Sequence, residues 1–405
     1  MSLHAKQAQV KTELVYDPSS YELDRDPFPT YRRMQDEAPL YHNPEIGFWA
    51  LTRFDDVVAG LSDWSHLSSA RGTMIEQIHS DSPPPDMMIF KDPPRHEQLR
   101  RLVGRAFTPR RVLELESTVR SMCATWLTPL VEAGGGEVVA DLAGRLPMAV
   151  IAALLGAPAQ DNPRLKELSD RLLHREDGST NMPADGVAAG AEMWAYFADL
   201  IAARRARPAD DLISALVQAE IPLEGGEPRR LTDEEMVYFC LLLGVAGNET
   251  TAKMIATGVV TLHDFPDERA RLAAEPSLWP NAVEELLRFD PPSHIQGRIT
   301  TCAIERYGQV IPEGSTVLLI NGAANRDPRA FPEPDVYVAQ RRIDRHLAFG
   351  HGIHFCLGAP LARLETRVAL EELIKRFPHY EVDRDGVERF HSINIRGLSK
   401  VPFTA

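Results

Sequence analysis

Cysteine is scarce in this chain of 405 residues: only positions 123, 240, 302 and 356 carry it, and none lies close to another. That argues against a disulfide framework and fits a reducing compartment. The stretch from Met1 to Asp17 is charged and lacks an apolar centre. Neither a signal peptide nor a membrane anchor is expected, so the chain reads as soluble and cytoplasmic. Basic charge is in deficit, with 44 Lys and Arg against 58 Asp and Glu, a formal net charge of −14. Nucleic acid and anionic membranes are poor partners for such a chain. Internal repeats, low-complexity tracts and linkers are missing too. What remains, 44% apolar and 25% charged, is ordinary for a globular protein.

One of the four cysteines stands in an unusual setting. Cys356 closes the run Phe349-Gly350-His351-Gly352-Ile353-His354-Phe355-Cys356-Leu357-Gly358. From Leu357 to Phe377 the periodicity predicts a helix, with Pro360 suited to its first turn. A sulfur just ahead of a helix meets unpaired N–H groups and the positive end of the dipole, which favours thiolate. Gly350 and Gly352 permit a sharp bend and a close approach to a flat ligand. A buried, inert cysteine is the bland alternative. Zinc is another, but His351, His354 and Cys356 supply three donors without an evident fourth.

The ten-residue frame resembles the haem-binding loop of the cytochrome P-450 family, with Phe349, Gly350, Gly352, His354, Cys356 and Gly358 in their places. The resemblance implies Cys356 as thiolate ligand to the iron of haem b. It implies a mainly α fold with small β-sheets, one domain over 1–405. The haem would lie between a long central helix and the cysteine helix.

Other segments follow the family's order. Thr232 and Glu235 form a capping box opening a helix that no proline interrupts before Pro266. At ~1.5 Å per residue it would run about 50 Å. Its centre reads Ala246-Gly247-Asn248-Glu249-Thr250-Thr251. A threonine there can bond back to the carbonyl of Ala246 and bend the helix. By resemblance Glu249 and Thr250 form the acid–threonine pair of oxygen activation, beside Ala246 and Gly247 at the haem. Glu285 and Arg288 share one helix face. The resemblance makes them a buried brace completed by Arg341, although Val336 stands where many relatives carry a basic residue. His96 and Arg100, four apart on one face, join Arg298 and His354 as the implied propionate partners.

Six arginines crowd the span from Arg95 to Arg111 against one acid, Glu97. Arg101, Arg105, Arg110 and Arg111 are expected to form a docking patch for an acidic ferredoxin served by its reductase, extended by Arg345, Arg363 and Arg367. The proline-rich stretch from Arg71 to Asp92 reads as an irregular functional loop. Candidate pocket residues are Met74, Ile78, Met88, Ile89, Leu172, Leu242, Val245, Ala246, His294, Ile295, Asn394 and Ile395. Their apolar character suits a hydrophobic substrate such as a terpenoid, steroid, fatty acid or polyketide-type compound. The expected protein is a monomeric monooxygenase. Its rivals are a haem-thiolate protein that binds or senses without turnover, and a peroxide-driven variant; intact Glu249 and Thr250 speak against both.

Overall fold

The structure is a computed structural model that describes residues 13–104, 107–221 and 228–405. Helices dominate it, with small sheets at the edges. The largest sheet has strands β1 (Leu40–Asn43), β2 (Phe48–Leu51), β3 (Leu67–Ser68), β4 (Ile295–Thr300) and β5 (Thr316–Ile320). Their order is β1-β2-β5-β4-β3. Strand β5 reads Thr-Val-Leu-Leu-Ile and is buried throughout, as a central strand covered on both faces should be. It runs parallel to β2 and antiparallel to β4, pairing Val317 with Arg298. The register thereby carries Arg298 into the interior. A hairpin of β6 (Glu388–Phe390) and β7 (Gly397–Lys400) closes the C-terminal side.

Eight helices position the site: α1 (Arg95–Gly104), α2 (Glu116–Ala133), α3 (Asn162–Leu173), α4 (Ala184–Ala206), α5 (Asp233–Ala246), α6 (Glu249–Asp264), α7 (Trp279–Phe289) and α8 (Ala359–Arg376). The capping box of Thr232 and Glu235 opens α5 as its sequence predicts. The single long helix does not survive: it breaks at Gly247 and Asn248 into α5 and α6. Helix α6 is buried on almost every face, and Met254, Ile255, Ala256 and Val259 join the main core with Leu364 and Val368 of α8. Helix α8 begins at Ala359 with Pro360 in its first turn.

The 71–92 segment is less irregular than its composition suggests. It contains a helical turn, Ile75–Ile78, and a 3-10 turn, Met88–Phe90. Thr73 accepts the N–H of Gly297 at 2.8 Å, and the space beside Gly297 is filled by Ile78. Among the described residues no helix is long and apolar enough to cross a membrane.

Candidate active site

Cys356 ends a tight loop. Gly350 and Gly352 both adopt positive φ (69° each), and a Cβ at Gly352 would sit 2.8 Å from the carbonyl of Leu61. The N–H of Cys356 donates to the carbonyl of Phe349 at 2.9 Å, closing the loop on its own first residue. Cys356 keeps exposed surface, yet burial by surrounding protein is the strongest influence on its thiol. The two together describe a residue on the wall of a cleft. Burial pushes the thiol up from its usual value, against the backbone N–H groups of Gly358 and Ala359 and the charges of Arg100 and Arg363. Helix-end polarity alone therefore does not make the thiolate that the sequence suggests. A bound metal cation would.

Around this loop lie four basic side chains. Arg100 donates to the carbonyl of Phe355 at 2.7 Å. The His96 ring packs 4.4 Å from that of His354, and neither of its nitrogens has a hydrogen-bond partner among the described residues. His354 Nε2 lies 3.3 Å from Ser69 Oγ. Arg298 is buried and donates to its neighbour's carbonyl, that of Gly297. Among the described residues, none of the four has a carboxylate in ion-pair range. Burial depresses all of them: Arg298 to about 10 and His354, also repelled by Arg298, to about 3. Two guanidiniums and two imidazoles without a carboxylate partner among the described residues suit a ligand that brings carboxylates. Haem fits: Cys356 would hold the iron, and His96, Arg100, Arg298 and His354 the two propionates.

The brace is complete. Glu285 and Arg288 are fully buried, joined at 2.6 and 2.9 Å. Arg341 Nε donates to Glu285 at 2.9 Å, as does the N–H of Val338 at 3.1 Å. Val336 contributes through its backbone: its carbonyl accepts from Arg341 at 2.9 Å. Arg288 also donates to the carbonyls of Asn325 and Pro334. Asn325 Oδ1 in turn accepts the N–H of Leu347, at the entrance to the cysteine loop.

At the helix break, Thr250 Oγ1 donates to the carbonyl of Ala246 at 3.0 Å. Ala246 is exposed between buried Gly244 and Asn248. Glu249 is fully buried; Asn248 donates to it at 2.6 Å, and Lys253 approaches its other oxygen at 3.1 Å. Lys166 of α3 stands 3.8 Å away and donates to Asp170 at 2.7 Å. Burial, helped by Asp170, raises the Glu249 carboxyl although both lysines pull it down. Lys253 was not anticipated, although its i,i+4 spacing from Glu249 is a local signal. Lys166 and Asp170, from another helix, carry no local signal.

The family model described as Cytochrome P450 matches residues 195–392. Cytochrome P450 123 of Mycobacterium tuberculosis is 45% identical over 395 residues, 97% of each chain. This chain belongs to the cytochrome P450 family. The vitamin D(3) 25-hydroxylase of Pseudonocardia autotrophica is 39% identical to this P450 over 94% of both chains. Among solved structures, CYP109E1 from Bacillus megaterium in complex with testosterone has a TM-score of 0.85 at 32% identity, covering 95% of this chain and 98% of that one. The family uses haem, and membership makes this chain a monooxygenase oxidoreductase.

The expected pocket residues of this P450 divide into two groups. Val245 and Ile395 meet Leu173 and Phe390 in one apolar cluster. Phe390 was not anticipated, because a lone aromatic in a hairpin has no positional signal. Leu242 and Leu172 pack at the margin of the main core, and Met88 lies within it. Met74 and Ile89 are half-buried beside the short turns of the 71–92 segment. His294 and Ile295 face elsewhere. The His294 ring fills the space over Gly322, with Nδ1 3.2 Å from Tyr31 Oη and Nε2 3.5 Å from Asp290. Ile295 packs with Tyr31, Ile75 and Ile320. Tyr31 and Asp290 hold the His294 ring over Gly322, and the Asn394 carbonyl accepts the His294 N–H at 3.0 Å.

The basic patch is smaller than expected. Arg101, Arg110 and Arg111 are exposed, and Arg105 lies outside the described residues. Arg345 is exposed as well. Arg363 is held by Glu284, and Arg367 by Glu116 and Glu371. Their charges are locally compensated.

Proposed function

We propose that this P450 inserts oxygen from dioxygen into a hydrophobic small molecule, hydroxylating or epoxidising it with two electrons supplied by a ferredoxin and its reductase. The cofactor is haem b. The chain works as one cytoplasmic, monomeric domain; a core drawing residues from Met88 to Phe403 supports the single domain. One observation carries the reading: four basic side chains without carboxylates gather at the loop of Cys356. Relatives named for vitamin D hydroxylation and crystallised with testosterone favour a steroid-like scaffold among the terpenoid, steroid, fatty acid and polyketide-type alternatives.

When bound, haem supplies the dioxygen chemistry; the chain supplies ligand, protons and placement. Asp170, with its side chain 38% exposed, takes protons from solvent, and Lys166 ties it to Glu249. Glu249, its carboxyl raised by burial, passes them inward. Thr250 holds its hydroxyl against the opened turn at Ala246 and orients the final proton. The cluster of Leu173, Val245, Phe390 and Ile395 presses substrate toward that point and excludes water.

Spectral titration with steroids, terpenoids, fatty acids and macrolides, followed by product analysis with a ferredoxin system, tests the proposal. Oxygenated product from a compound that shifts the iron spin state is expected. Spectral hits that never yield product would favour a protein that binds without turnover.

A further inference from the structure

Two adjacent glutamates of α7 look in different directions, because neighbours on a helix are about 100° apart. Glu285 forms the brace. Glu284 holds Arg363 of α8 at 2.6 and 2.9 Å, and His346 Nε2 at 3.0 Å. His346 Nδ1 accepts the N–H of Ala348 at 3.2 Å, so the ring proton sits on Nε2 and points at Glu284. Despite its burial, these partners keep the Glu284 carboxyl down at about 2. The Arg363 guanidinium lies 4.6 Å from the centroid of the Phe349 ring. His346 and Phe355 flank that ring at 5.8 and 6.3 Å. The carbonyl of the same Phe349 accepts the Cys356 N–H.

We propose that Glu284 is a positioning residue that orients and neutralises Arg363 over Phe349, and so sets the electrostatic field at the Cys356 sulfur. The inference rests on the haem-thiolate reading. A guanidinium stacked on an aromatic face is fixed in place only when its fork is held, and Glu284 holds it with two hydrogen bonds. Arg363 already acts on Cys356 by its charge. The pair Glu284–Arg363 is therefore a compensated dipole beside the sulfur. Removing either half leaves an uncompensated charge of known sign in a partly buried place.

Equilibrium reduction potentials of the haem-loaded protein test this, because they do not depend on how a redox partner docks. In Glu284→Gln the positive charge of Arg363 is unopposed and favours the added electron, so the potential rises. In Arg363→Met the negative charge of Glu284 is unopposed, so the potential falls. The double variant returns toward wild type. Arg363→Lys, which keeps the charge, shifts less than Arg363→Met and serves if either single variant folds poorly. Both single variants moving the same way, or neither moving, would overturn the inference alone. A wild-type protein without a thiolate-type spectrum would overturn the haem reading and this inference together.

Discussion

Glu365 shows how one side chain can colour the behaviour of the whole chain. It sits on α8 with 1% exposure, and its Oε2 has no hydrogen-bond partner among the described residues. Burial raises its carboxyl well above the usual value. The native state therefore keeps a proton that the unfolded chain releases above about pH 4.3. Through that window stability falls as pH rises. Glu365→Gln should show a smaller drop in melting temperature than wild type between about pH 5 and pH 8. Equal drops would contradict the assignment. At this scale the cysteine frame and the spacing of Glu285 and Arg288 were legible, since short motifs carry their own geometry. The direction of the Cys356 thiol was not, because desolvation depends on packing from distant segments. Nor was the orientation of His294, which follows from Gly322, Tyr31 and Asp290.

The elements around the substrate side are tied together by Arg175. Its guanidinium meets Glu76 of the Ile75–Ile78 turn at 2.7 Å and donates to the carbonyls of Leu172 and His174. Its own N–H donates to the carbonyl of His391, beside hairpin β6–β7. Three segments on the proposed substrate side thus share one buried cation. Breaking a buried ion pair costs about 3–5 kcal/mol, here concentrated on contacts that hold the 71–92 segment. Arg175→Ala is expected to make that segment cleave faster in limited proteolysis while α8 stays protected. Uniform protection in wild type and variant would argue against a latch. Helix starts were legible through the Thr232 capping box and Pro360. The break at Gly247 and Asn248 was not. The Thr250–Ala246 bond was expected as a bend, but the burial of Glu249 against Lys166 and Lys253, from packing the sequence does not display, accompanies a full break.

Across the whole molecule, charge is distributed against its average. A chain of net charge −14 presents Arg101, Arg110, Arg111 and Arg345 at the surface, Arg110 3.5 Å from Glu114, while Arg363 and Arg367 are paired with Glu284 and Glu116. Reversing Arg101 and Arg110 to Glu should slow reduction by an acidic ferredoxin roughly tenfold at low ionic strength, with the gap closing as salt rises. Unchanged rates at low salt would remove the patch from the account. The order of motifs from His96 to Gly358 made the architecture readable, and relatives at 45% identity place the chain in its family. The central claim is that Cys356 binds haem iron as a thiolate. The absorption spectrum of the reduced carbon monoxide complex tests it most directly. Wild type should give the red-shifted thiolate band and Cys356→Ser should lose it; a wild type without the band, or a variant that keeps it, would contradict the account.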